Sequence, residues 1–344
     1  MTHRINLALQ GGGAHGAYTW GVLDRLLDED DLEIAAITGT SAGALNGAAF
    51  KAGMAANGRE GARAELDRLW SRMGAVTDMR LPAWMAGNLS LTGQFARAIE
   101  YSFPYTLADT VSRMTSPYAY GPFYTNPLRA VVDDFDYAKV CGQGGPDLFI
   151  CATNVRTGKI RVFSDEAITT DAILASACLP TLFQAVEITD PDTGRTEAYW
   201  DGGYTGNPAL FPLFTPGYPE DVVIVNINPL ERDEIPKSPQ AIQNRINEIS
   251  FNSSLLRELR AIEFVQRLIA HGNVPKGTMR DVHVHLVSDD ELMRELSVAT
   301  KLLPNPYLLN RLKAAGRLSA ERFLEESRQH IGKRSSVDLR AMFG

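Results

Sequence analysis

The chain has 344 residues, 44% hydrophobic and 22% charged, with a formal net charge of −7. This size and composition suit one large α/β domain or two small ones and exclude global disorder. The negative balance excludes attraction of nucleic acid or anionic membrane by bulk charge, and Cys141, Cys151 and Cys178 show neither metal-ligand spacing nor a disulfide framework.

In chain order, INLALQ (5–10) is a short apolar run stopped by three glycines, which predicts a buried strand. A helix is predicted over 14–27, a second strand over LEIAAITG (32–39) and a second helix over 42–56. Strand, helix, strand, helix implies parallel strands joined by right-handed crossovers. The segment 78–124 has no clean period but holds nine aromatic residues, Trp84 and Phe95 among them. It reads as an irregular insertion on the core, or as a cap over an apolar pocket or a surface for meeting lipid.

DLFICATN (147–154), DVVIVNIN (221–228) and DVHVHLVS (281–288) are further core strands, and KIRVF (159–163) and TEAYW (196–200) are shorter strands near the sheet edge. Helices are predicted at 169–177, 238–270 and 306–329. The long one carries Ile242, Ile246, Ile249, Leu256, Leu259, Ile262, Val265 and Ile269 at a period near 3.5. That stripe predicts packing on the body of the domain, with a homo-oligomer seam as the second choice. Residues 1–330 thus read as a single domain with 238–330 as a helical extension containing one late strand, and 331–344 as a loosely held tail. With no run of about 18 apolar residues and no signal-like opening, a soluble cytoplasmic protein is expected.

Three motifs carry chemistry. Gly11-Gly12-Gly13-Ala14-His15-Gly16 follows the first strand and opens the first helix. Without side chains the backbone can approach a ligand closely, and free N–H groups at a helix start favour negative charge. The same pattern fits a dinucleotide loop. That reading requires an acidic residue after the next strand, and this chain has Gly39-Thr40-Ser41-Ala42-Gly43 there instead. GTSAG fits GxSxG, which between strand and helix is a nucleophile elbow; the plain alternative is a turn or helix cap.

A serine hydroxyl needs a base. No histidine stands in an obvious loop after an acid: His283 and His285 share one face of a strand, and His15 lies inside the glycine motif and stays a candidate. The stronger candidate is Asp201 in Trp200-Asp201-Gly202-Gly203-Tyr204, at a strand end before two glycines, although an ordinary Asp-Gly turn has the same form. As a base it needs its pKa raised by burial. Asn207 and Pro208 continue this loop and can shape the pocket wall.

GGGAHGAYTWGVL, GTSAG and DGGYTGNP, in this order and with SACLPTLFQ before the aspartate, resemble the patatin-like phospholipases over roughly residues 5–230. The resemblance implies a three-layer α/β/α fold with a mostly parallel central sheet and a Ser41–Asp201 dyad without histidine. It also implies an oxyanion hole from backbone N–H groups of the stretch Gly11, Gly12, Gly13 and Ala14, with His15, Gly16, Gly39, Gly43, Gly202 and Gly203 supporting the motifs. The implied activity is lipid acyl hydrolysis of phospholipase A or lysophospholipase type, needing no cofactor and no metal. Implied partners are a lipid or acyl-ester substrate, with transient membrane-surface contact, a possible homo-oligomer and no nucleic acid. Acyl transfer or soluble-ester hydrolysis on the same site, or a non-catalytic lipid- or nucleotide-binding role, are the alternatives. Many family members have Arg or Lys where this chain has His15, which suggests activity sensitive to pH near 6 to 7.

Overall fold

The computed structural model describes residues 2–75, 116–119, 124–191, 193–275, 277–296, 300–301 and 304–343. Its single sheet contains β1 (His3–Leu9), β2 (Leu32–Gly39), β3 (Asp147–Asn154), β4 (Ile160–Ser164), β5 (Val186–Thr189), β6 (Thr196–Asp201), β7 (Asp221–Val225) and β8 (His283–Val287). The longer helices are α1 (Gly16–Leu26), α2 (Ala42–Ala75), α3 (Thr170–Ser176), α4 (Pro239–Ala270) and α5 (Pro306–Ser327). β1 pairs in parallel with β2 and β7, β2 with β3, and β7 with β8. β4 and β6 run antiparallel to β3, and β5 antiparallel to β6.

Alternation along the central strands creates the layers. Ile5, Leu7 and Leu9 of β1, with Val223 and Val225 of β7, face a core shared with α1, α2 and α5. Ala8, Val222, Ile224 and Val284 point the other way, onto Leu255, Leu259 and Ile262 of α4. Helices thus cover both faces of a mostly parallel sheet, the α/β/α arrangement expected. Each fully buried leucine or isoleucine contributes roughly 2 kcal/mol relative to exposure.

Three details depart from the sequence reading. The strand Val186–Thr189 carries too short and too polar an alternation, VEIT, to stand out. The apolar stripe of α4 does not pack along its whole length: Leu259 and Ile262 are buried, whereas Ile242, Ile246 and Ile249 are 42%, 53% and 54% exposed. The tail is not loose. Gly332 N–H donates to Asp221, Ser336 N–H to Val284 O, and Leu339 joins the α4 core.

Most of the aromatic segment 78–124 lies outside the described residues, and its reading as a cap lies there with it. Its described part abuts the chain before β5: Tyr124 and Tyr118 hydroxyls accept from the N–H groups of Gln184 and Ala185. Among the described residues, no helix is long and apolar enough to cross a membrane.

Candidate active site

β3 is paired on both sides along its middle. Phe149 and Ile150 face Thr38 and Gly39 of β2, and also Ser164 and Phe163 of β4. Further on, Ala152 and Thr153 face Asp201 and Trp200 of β6, with Arg161 and Ile160 of β4 as their other partners. A strand has two edges, so β2 and β6 share one of them, end to end. β2 runs with β3 and β6 runs against it, so the two strands point at each other. Their last residues, Gly39 and Asp201, face Ile150 and Ala152. The turns that follow must leave the sheet at one place, and Thr40 Oγ1 ties them by donating to Gly206 O at 2.7 Å.

At the end of β2 the chain turns sharply into α2. Ser41 takes φ 55°, the left-handed region that a non-glycine residue seldom occupies. Gly43 is required because any Cβ there would overlap the Leu9 carbonyl. The Ser41 N–H donates to Ser176 Oγ at 2.9 Å, and that hydroxyl donates on to Cys151 O at 2.6 Å. The elbow is therefore held from α3 and β3 while α2, starting at Ala42, directs its positive end at the serine. Ser41 is buried but keeps 8% exposure.

Asp201 is wholly buried. Its N–H donates to Cys178 O, and its Oδ1 accepts from Gly203 N–H, both at 2.8 Å. Among the described residues Oδ2 has no hydrogen-bond partner. Burial pushes the carboxyl up to about 7, opposed by the Gly203 N–H and then by the Ser41 hydroxyl. The hydroxyl is thus near enough to act on the carboxylate, although no hydrogen bond between them has formed. Such contacts in ligand-free sites are often long and tighten around substrate. A carboxyl titrating near 7 is matched to proton transfer at neutral pH.

The glycine loop passes beside the serine: a Cβ on Gly11 would stand 2.7 Å from Ser41 Cβ. The Gly11 N–H is taken, however, donating to Asn207 Oδ1 at 2.7 Å. This removes Gly11 from the expected set of oxyanion donors. Among the described residues, no hydrogen bond takes the Gly12 N–H, and Gly13 and Ala14 open a 3-10 turn (Gly13–His15) whose first N–H groups have no partner within it. Gly16 sits at the junction of this turn with α1, and Gly202 at the start of the turn after Asp201.

His15 does not fit the expected pH sensor. It is buried, its Nε2 is 2.7 Å from Thr300 Oγ1, and its Nδ1 has no partner among the described residues. Burial, and then the charge of Lys301, pull its pKa well below the ordinary histidine value. Both influences disfavour the charged imidazole, whereas the Asp201 carboxyl at the site is pushed up to about 7.

The family description "Patatin-like phospholipase" matches residues 7–214, more than half of the chain. The chain belongs to the patatin-like phospholipase family. Membership supports lipid acyl hydrolysis at the level of the family. Among solved structures, VipD from Legionella pneumophila aligns at 12% identity and TM-score 0.42, covering 94% of this chain and 67% of that one. ExoU with SpcU, from the type III secretion system of Pseudomonas aeruginosa, aligns at 15% identity and TM-score 0.36, covering 94% and 53%. No curated protein matches by sequence.

Several side chains hold this patatin-like site in ways the sequence motifs do not specify. Ser176, in the SACLP stretch, grips the elbow, and Asn207 grips the glycine loop. Gln10 Oε1 accepts from Ile227 and Asn228 N–H groups, fixing the end of β1 to the chain after β7. Only their proximity to the motifs could have singled them out.

Proposed function

We propose that the chain is a serine lipid acyl hydrolase of phospholipase A or lysophospholipase type, acting through a Ser41–Asp201 dyad. Ser41 Oγ attacks the acyl carbonyl carbon while its proton moves to Asp201 Oδ2. The carbonyl oxygen becomes an oxyanion facing the N–H groups of Gly12 and Gly13; one such donor typically lowers the barrier by about 3 kcal/mol. The tetrahedral intermediate collapses, the ester C–O bond breaks, and the departing alcohol takes the proton from Asp201. Water then adds to the acyl-serine, with Asp201 again as base, releasing the fatty acid and restoring both groups.

The observation that carries this reading is the buried Oδ2 of Asp201, without a hydrogen-bond partner among the described residues, beside a serine in a strained elbow. A purely structural aspartate in that place would have its second oxygen satisfied. A fluorophosphonate probe followed by peptide mapping tests it, together with hydrolysis of acyl esters graded in chain length and headgroup. Modification at Ser41 with loss of ester hydrolysis is expected. An unlabelled Ser41 in folded protein, or hydrolysis unchanged after labelling, would remove the serine from the mechanism.

A further inference from the structure

Behind the glycine loop lies a polar cluster that the hydrolytic steps above do not use. Asn228 is 1% exposed. Its Nδ2 donates to Gly11 O at 2.8 Å and to Gln10 Oε1 at 3.1 Å, and its Oδ1 accepts from Lys301 Nζ at 2.8 Å. The lysine is also seated on the loop through its backbone, since a Cβ on Gly13 would overlap the Lys301 carbonyl.

The Gly11 carbonyl and the Gly12 N–H belong to one planar peptide unit. A hydrogen bond onto the carbonyl oxygen draws electron density towards it, strengthens the N–H as a donor and fixes the plane in which that N–H points. The ammonium of Lys301 polarises the Asn228 amide in the same sense. The path runs from Lys301 Nζ–H to Asn228 Oδ1, from Asn228 Nδ2–H to Gly11 O, and across the peptide to the Gly12 N–H.

The electrostatics of the cluster have the sign this needs. Glu248 of α4 pairs with Arg232 at 2.6 Å and Arg245 at 3.2 Å. Lys301 adds a third cation beside this carboxylate, and the neighbouring His15 has its charged form disfavoured by burial and then by Lys301. Arg232, Arg245 and Lys301 thus outnumber Glu248 among these paired groups.

We propose that Lys301, acting through Asn228, is a positioning residue for the oxyanion hole, orienting and polarising the Gly11–Gly12 peptide so that the Gly12 N–H meets the charge developing on the acyl oxygen. This rests on the Ser41 hydrolase reading. No bond or proton is exchanged with substrate by either residue. Burial lowers Lys301 to about 8, with Glu248 opposing and Arg232 reinforcing that shift. Its charge, and the polarisation it supplies, are lost as pH rises through that range.

The test is steady-state hydrolysis of a soluble p-nitrophenyl acyl ester from pH 5 to 10 by the full chain and its variants. Lys301→Gln removes the charge but keeps a donor, and Lys301→Met removes both. Met is expected to lower kcat about tenfold, or about 1.4 kcal/mol, with KM within about twofold, and Gln to fall between Met and wild type. Lys301→Arg restores most of kcat. Wild-type kcat should decline above about pH 8, both neutral variants should lack that decline, and Arg should move it upwards. Asn228→Leu should cost at least as much as Lys301→Met, and the double variant no more than Asn228→Leu alone, because the two act in series.

Unchanged kcat and an unchanged alkaline limb in folded Lys301→Gln would overturn the proposal, as would additive losses in the double variant. The reading beneath it fails separately: wild-type hydrolysis that survives Ser41→Ala removes the serine mechanism. Hydrolysis lost in Ser41→Ala but indifferent to Lys301 removes the relay alone.

Discussion

Two buried aspartates stand at opposite ends of one sheet and meet opposite surroundings. Asp201 ends β6 beside the serine elbow, with one oxygen on Gly203 N–H and the other unpartnered among the described residues. Asp221 begins β7 at the far end. It lies 3.0 Å from His285 Nε2 and 3.4 Å from His283 Nδ1, and both its oxygens accept from Gly332 N–H. Burial alone would raise the Asp221 carboxyl, but the two histidines and the Gly332 N–H outweigh it and hold the group well below the usual carboxylate range. Asp201 lacks such partners and is pushed up to about 7. The same side chain is held well below the usual carboxylate range where donors surround it and is raised towards neutral pH where they are withheld.

The strongest way to break this contrast is Asp201→Asn. Ester turnover should fall about 10³- to 10⁴-fold while the fold is retained. Stability should rise at neutral pH, because a carboxyl raised in the folded state favours folding only while protonated. Its benefit is complete below the unfolded pKa near 4 and is lost as pH rises through about 7. The difference between wild type and variant in urea denaturation should therefore grow from pH 4 to pH 8, towards an upper limit of about 4 kcal/mol. A variant no more stable at pH 8 than at pH 4, relative to wild type, would mean that the folded carboxyl is not raised.

Asp221→Asn should do the reverse: a loss of about 3 kcal/mol at pH 7, with kcat per folded molecule nearly unchanged. The wild-type contribution is present above the unfolded carboxylate pKa and fades as pH falls below about 4, so the two proteins should converge in acid. Hydrogen exchange at Gly332 and Ser336 should accelerate in the variant; unchanged protection there would separate the tail from this cluster. Ser176→Ala sharpens the active-site half. It deletes two buried hydrogen bonds, to Ser41 N–H and Cys151 O, and should cost about 1–3 kcal/mol with a several-fold drop in kcat. The smallest effect is expected at Ile246→Gln on the exposed stripe of α4, within about 0.5 kcal/mol by thermal melting.

Strand and helix order was legible because it rests on runs and periods: INLALQ, LEIAAITG and DVVIVNIN lie where their apolar residues put them. Ser41, the glycine block and Asp201 were legible because sharp turns demand glycine and leave a pattern. Which residues of the α4 stripe are covered was not, since Ile242, Ile246 and Ile249 are exposed while Leu259 and Ile262 in the same stripe are buried, and only the neighbouring elements decide between them. Nor was the Gly11 N–H, whose partner Asn207 lies far along the chain. The lowered pKa of His15 likewise depends on burial and on Lys301, neither of which local sequence reports.

Because β2 and β6 abut along one flank of β3, the distance between the strand end that carries the Ser41 elbow and Asp201 is counted in peptide units. One residue, Cys151, separates the positions opposite Gly39 and Asp201, a step of roughly 7 Å from Ile150 to Ala152. An extended backbone cannot stretch, so β3 serves as a ruler between the ends of β2 and β6, on which the proposed dyad depends. Helices on either face can shift with temperature, ligand or mutation while that interval stays constant.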